Sequence, residues 1–177
     1  KHNLRVFDHK FNNINGGSSQ YYICHEDSKY KLKKSVSEVL KMEKKFNLEK
    51  INTFKKFYNS IHKIKKTLLK KINSILKSNK IIHGYGASTK GNVLLQYFGI
   101  NKNQINLIAD RNPLKFNKYT PGTNIKIVSE KISRKLKPDY YLVLPWHFKK
   151  EILLREKNII KKGTKFIFPL PKLKINN

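Results

Sequence analysis

The run Ile81-Ile82-His83-Gly84-Tyr85-Gly86 sets a short apolar segment directly against a glycine turn, and Ala87-Ser88-Thr89-Lys90-Gly91-Asn92 behind it reads as the start of a helix. This feature constrains the chain more than any other. A buried strand that delivers its backbone through a tight turn into a helix is the opening unit of a parallel α/β sheet. The alternation continues downstream. Strands are expected at Ile81–Gly84, Ile105–Ala109, Ile125–Val128, Tyr140–Leu144 and Lys165–Phe168, with helices over Ser88–Phe98, Ser129–Leu136 and Phe148–Asn158. Residues 80–177 are therefore expected to form a compact α/β, Rossmann-like parallel-sheet domain that closes with Pro169-Leu170-Pro171.

Two other stretches precede it. Residues 1–27 contain Arg5-Val6-Phe7-Asp8-His9-Lys10-Phe11 and Ser19-Gln20-Tyr21-Tyr22-Ile23-Cys24, two β-rich runs around Asn12-Asn13-Ile14-Asn15-Gly16-Gly17-Ser18. A turn that offers φ > 0 at either glycine predicts a hairpin there. Two strands alone are marginal in water, so the hairpin is expected to belong to a larger sheet. The chain also begins at Lys1 and runs straight into this hairpin, which reads as part of a longer protein. Residues 28–79 read as a helical connection. Ser35 and Glu38 have the spacing of a capping box, unless they lie inside a helix that starts near Ser28. From Glu49 onward Ile51, Phe54, Tyr58, Ile61, Ile64, Leu68, Ile72, Ile75 and Leu76 follow one stripe of a single long helix, with lysines on its other face. Such a basic amphipathic helix either joins two domains or lies on a membrane surface; the first is expected.

The net charge of +28, from 39 basic against 11 acidic residues, would ordinarily point to a polyanion. However, only Arg5, Arg111, Arg134 and Arg155 are arginines, and the lysines are spread along the chain. Nucleic-acid readers rely on the guanidinium fork, so a solvated lysine surface is the expected reading and a nucleic-acid partner is not. No apolar run is long enough to span a bilayer. The single cysteine, Cys24, excludes an internal disulfide and a cysteine-rich zinc site, which suits a cytoplasmic protein.

Three places could carry chemistry. Gly84, Tyr85, Gly86, Ser88, Thr89, Lys90 and Asn92 form a glycine turn that enters a helix, where free amides, hydroxyls and a cation could receive a phosphate. The third glycine comes later than in the dinucleotide fingerprint, and the spacing is not that of a P-loop. The alternative is a tight turn without a ligand. Asp110 and Asn112 end the second parallel strand, where an acid takes ribose hydroxyls or simply caps the next turn before Pro113. His147 follows Trp146 at the end of the fourth strand and is either a ligand contact or structural. The turn Tyr119-Thr120-Pro121-Gly122-Thr123 is expected at the same sheet edge. No other histidine has metal-ligand spacing.

Asn15-Gly16-Gly17-Ser18, the glycine motif Gly84 to Asn92, Pro121-Gly122-Thr123 and the segment Pro138 to Phe148 together resemble the C-terminal region of S-adenosylmethionine-dependent sugar C-methyltransferases. The resemblance covers nearly the whole chain. It implies that residues 1–27 are the last hairpin of an upstream methyltransferase domain. It further implies that S-adenosylmethionine and zinc belong to upstream regions, with neither bound by this segment and the catalytic residues also lying elsewhere. What carries over is binding of a nucleotide-linked keto-deoxysugar, with Ser88, Thr89, Lys90 and His147 facing it. The implied chemistry is deprotonation beside a keto group and attack of the enolate on the methyl sulfonium. Many members have an arginine where this chain has Gln20. Two other readings stay open: a non-catalytic nucleotide or nucleotide-sugar module, and a basic nucleic-acid-binding protein.

Overall fold

The computed structural model describes residues 2–176. It divides into two compact units, residues 1–60 and 61–177.

In the first unit, β1 (Leu4–Asn12) and β2 (Ser18–His25) form the expected antiparallel hairpin. Asn15, Gly16 and Gly17 all have positive φ (53°, 86° and 124°), which is why Asn-Gly-Gly stands at this turn. A register shift between Val6 and Asp8 turns Asp8 inward, where Lys33 Nζ (2.8 Å) and Ser35 Oγ (2.7 Å) donate to its carboxylate. Those hydrogen bonds, Lys33's first, hold its pKa down at about 2. Helix α1 (Lys34–Lys45) starts with no side-chain cap, so Ser35 and Glu38 are not a capping box. Ser35 instead spends its hydroxyl on Asp8. Among the described residues of this unit, Val39 is the one buried apolar side chain, whereas Leu4, Phe11, Ile14, Tyr21 and Ile23 are exposed.

Helix α2 (Ile51–Lys77) is the long helix that the stripe predicts. Its stripe is unevenly used. Leu68, Ile72 and Ile75 are buried, each worth about 2 kcal/mol relative to exposure, while Ile51, Phe54 and Tyr58 remain open.

The second unit holds a six-stranded sheet in the order β5-β4-β3-β6-β7-β8. Its strands are β3 (Ile82–Tyr85), β4 (Leu107–Asp110), β5 (Lys126–Ser129), β6 (Tyr140–Val143), β7 (Lys165–Phe168) and β8 (Lys174–Asn176). All pair in parallel except β8, which returns antiparallel to β7. The first strand is central, the next two lie on one side and the rest on the other, which is the doubly wound Rossmann arrangement. The helices are α3 (Thr89–Phe98), α4 (Glu130–Lys135), α5 (Lys149–Arg155) and α6 (Lys157–Lys161).

The sequence expectation differs from this in three details. The second parallel strand begins at Leu107 rather than Ile105, which is buried ahead of it. The helix expected over Phe148–Asn158 is two helices broken at Glu156. The chain does not close at Pro171 but continues into β8.

Alternation in the strands divides the core between two faces. Ile82, Ile108 and Leu142 pack with Leu94, Leu95 and the second half of α2, whereas Tyr85, Tyr141, Val143 and Phe166 pack with Ile152. Beneath the second face, His83 Nδ1 lies 2.8 Å from Ser133 Oγ, itself 2.9 Å from the Tyr141 hydroxyl. Burial pushes the His83 pKa down from 6.5 to about 4. The unfolded chain therefore takes up a proton below about 6.5 that the folded chain refuses until about 4. Stability is expected to fall as pH drops through that window. Urea-unfolding midpoints should decline more steeply there for the native chain than for His83→Gln; parallel declines would show that His83 titrates alike in both states. No helix among the described residues is long and apolar enough to cross a membrane.

Candidate functional site

At the carboxyl ends of β3 to β6 lies a cavity of about 440 Å³. Its floor is the glycine turn, Tyr85 to Ser88. Asp110, Arg111 and Lys115 after β4, Glu130 after β5, Pro145 and Phe148 after β6, and Glu151, Ile152 and Arg155 of α5 complete it. Ligands of doubly wound sheets bind where neighbouring strands send their chains to opposite faces, and β3 beside β6 is that place here.

The glycines serve packing as much as access. A Cβ on Gly84 would stand 2.6 Å from Ile108 Cγ1, its cross-strand neighbour, and one on Gly91 would stand 2.4 Å from Leu144 Cβ. Gly86 has φ +79° and lies under the Pro145 ring. These glycines let strand, turn and helix approach closely.

The amides of the turn are largely used by the protein itself. Gly86 donates to the Ala109 carbonyl (2.7 Å), Ala87 to Asp110 Oδ2 (2.7 Å) and Ser88 to the Gly86 carbonyl (2.8 Å). Ser88 caps α3 by accepting from the Gly91 amide (3.0 Å). Asp110 also accepts from the Asn112 amide (2.7 Å) and from Lys115 Nζ (3.4 Å). A carboxylate of the chain thus occupies the place that a phosphate would take on the Ala87 amide.

The remaining residues predicted for the site are spread around it. Tyr85 is buried beneath the cavity, its hydroxyl donating to Glu156 Oε1 (2.7 Å) and receiving an Arg155 N–H. Thr89 and Lys90 are exposed on the first turn of α3, outside the cavity lining. Asn112 is exposed and caps the short turn at Pro113 by accepting from Leu114. His147 is half-buried, and neither it nor Asn92 lines the cavity. Burial, and next the nearby Lys90 charge, push the His147 pKa down. Its Nδ1 and Asn92 Oδ1 are buried without a hydrogen-bond partner among the described residues. The turn at Pro121-Gly122 also lies outside the lining. Thr120 and Thr123 bond to each other there (2.7 Å), and Gln96 Nε2 donates to the Pro121 carbonyl.

What sequence reasoning missed is the charged wall. Glu156, 2% exposed in the break between α5 and α6, accepts from Arg134 (2.9 and 3.0 Å), Arg155 (3.0 Å) and Tyr85. Arg134 and Arg155 also reach Glu130 (3.1 and 2.6 Å), whose pKa burial nevertheless raises. The available signal was composition: of the four arginines of a lysine-rich chain, Arg111 and Arg155 line this cavity and Arg134 pairs with Glu130 of its lining. Among the described residues, no three His, Cys, Asp or Glu are grouped to hold a metal ion.

The C-methyltransferase NovU of Streptomyces niveus is 29% identical to this chain over 174 residues, which is 98% of the chain and 41% of that protein. The chain thus spans less than half the length of the curated relative that it matches. The family model described as the C-methyltransferase C-terminal domain matches residues 13–171, from the Asn-Gly-Gly turn through every parallel strand. With that match over most of its length, the chain belongs to the family of C-methyltransferase C-terminal domains.

Proposed function

We propose that this chain is the substrate-holding C-terminal part of a longer S-adenosylmethionine-dependent enzyme that methylates a carbon of a nucleotide-linked keto-deoxysugar. The observation that carries the reading is the cavity at the strand carboxyl ends, lined by cations, carboxylates and apolar surface and sized for a sugar or nucleoside. Family membership and the name of NovU as a C-methyltransferase support the methyl-transfer part. S-adenosylmethionine, bound by another part of the longer protein, would supply the electrophilic methyl group, and the base that generates the enolate would also lie there. The exposed apolar side chains of the hairpin, with only Val39 buried among the described residues of that unit, favour an upstream methyltransferase domain as its partner. A half-buried free thiol, Cys24, suits a reducing, cytoplasmic setting.

The test is calorimetric titration of this chain with a nucleoside diphosphate-hexose and, separately, with a mixed-sequence oligonucleotide. Saturable one-to-one binding of the sugar nucleotide that moderate salt leaves intact is the expected result. Binding of the oligonucleotide alone, with a steep salt slope, would instead make the +28 charge the functional feature.

A further inference from the structure

The cavity lining carries three cations, Arg111, Lys115 and Arg155, against three carboxylates, Asp110, Glu130 and Glu151. In a chain of net charge +28 this is a locally balanced surface. Most of these groups are already committed. Lys115 Nζ donates to the Ala87 carbonyl (2.8 Å) and to Asp110, and Arg155 is held by Glu130, Glu156 and Tyr85. Asp110 is satisfied by two amides and Lys115. Two lining side chains are left: among the described residues, neither Arg111 nor Glu151 makes a side-chain hydrogen bond or close ion pair, although Arg111 feels the Glu130 charge and Glu151 that of His147.

Resting on the reading above, we propose that Arg111 takes the phosphate of a phosphorylated sugar ligand and that Glu151 accepts its hydroxyls. Three observations converge on this division. At the glycine turn, the usual phosphate cradle, the Gly86, Ala87, Ser88 and Gly91 amides are already engaged, so a side-chain cation beside the turn is the stronger anion donor left. Arg111 is an exposed side chain whose backbone is nonetheless fixed, since Asp110 before it is bonded to the amides of Ala87 and Asn112. Its planar fork donates two parallel N–H groups, the geometry that phosphate oxygens accept. Finally, a carboxylate such as Glu151 offers acceptors and no donor, which suits hydroxyls rather than phosphate oxygens. A ligand that joins a diphosphate to a hydroxylated ring satisfies both residues, whereas a long polyanion satisfies only one.

The experiment is calorimetric titration of the full chain with a nucleoside diphosphate-hexose, the same nucleoside diphosphate, and the nucleoside. Arg111→Ala should weaken both diphosphates about tenfold or more and leave the nucleoside unchanged, with Arg111→Lys recovering only part of the loss. Glu151→Gln should weaken the hexose conjugate several-fold and spare the diphosphate alone. Lys118→Ala removes an exposed charge outside the cavity lining and should change nothing. The inference is overturned, and the proposed function left standing, if the native chain binds the conjugate and Arg111→Ala binds it equally well. Equal weakening by Lys118→Ala would also overturn it, because bulk charge would then explain the effect. If the native chain binds no sugar nucleotide, both readings fall. Thermal unfolding of each variant establishes that the fold is retained.

Discussion

Glutamine at position 156 should destabilise the second unit by about 3 kcal/mol and lower its melting temperature by on the order of 10 °C. Glu156 is 2% exposed and accepts from Arg134, Arg155 and the Tyr85 hydroxyl at once. The amide keeps the shape but removes the charge, leaving two guanidinium groups turned toward a neutral partner in a partly dry setting. They are 41% and 36% exposed, so water offsets part of the loss and the effect stays at the lower end for a broken buried pair. Glu130 remains to hold both arginines, which is why unfolding should stay cooperative. A melting temperature within a degree or two of the native chain would show that the network is a solvated surface.

Alanine at position 86 should do comparable damage by a different route. The residue sits at φ +79°, a conformation that costs a side chain about 1 kcal/mol, and its new Cβ would stand 2.8 Å from two carbons of the Pro145 ring. Relieving that contact costs about 2 kcal/mol more and moves a wall of the cavity. Stability and ligand affinity should therefore fall together. Gly99 provides the comparison, with φ +73° and nothing within 4 Å of a built Cβ. Gly99→Ala should show the conformational strain alone, about 1 kcal/mol, with binding unchanged. If the two variants melt alike, the Pro145 contact relaxes freely.

The central strands were readable because each is a short apolar run that ends in turn residues, and α3 because Ser88 and Gly99 mark its two ends. Strand β8 was not readable. Lys174-Ile175-Asn176 is short and polar, and it becomes a strand only by returning along β7. The break at Glu156 involves neither glycine nor proline, so periodicity runs through it. It coincides with contacts to Arg134 and Tyr85, the latter 71 residues away in sequence. Ser35 and Glu38 had the right spacing for a cap, but Asp8 arrives from β1 and accepts the Ser35 hydroxyl. At the site, sequence reading located the turn and Asp110 but not the amide–carboxylate bond between them, which only the pairing of β3 with β4 creates. Nor could it separate Arg111 from the other cations, since what distinguishes Arg111 is that its neighbours are already engaged.

The position of β3 beside β6 also bears on how the sheet assembles. Every other parallel pair joins strands that follow one another in the chain, but β3 and β6 meet across 58 residues, as the Ile81 amide on the Asp139 carboxylate marks. Closing that long loop carries the largest entropy penalty of any strand pairing here, so this junction should be stitched late in folding. Gly86 and Pro145 lie against each other across the same junction, and both line the cavity. The crevice proposed to hold the ligand therefore lies on the strand pairing of longest range in the sheet, and a ligand that bridged it would oppose opening there.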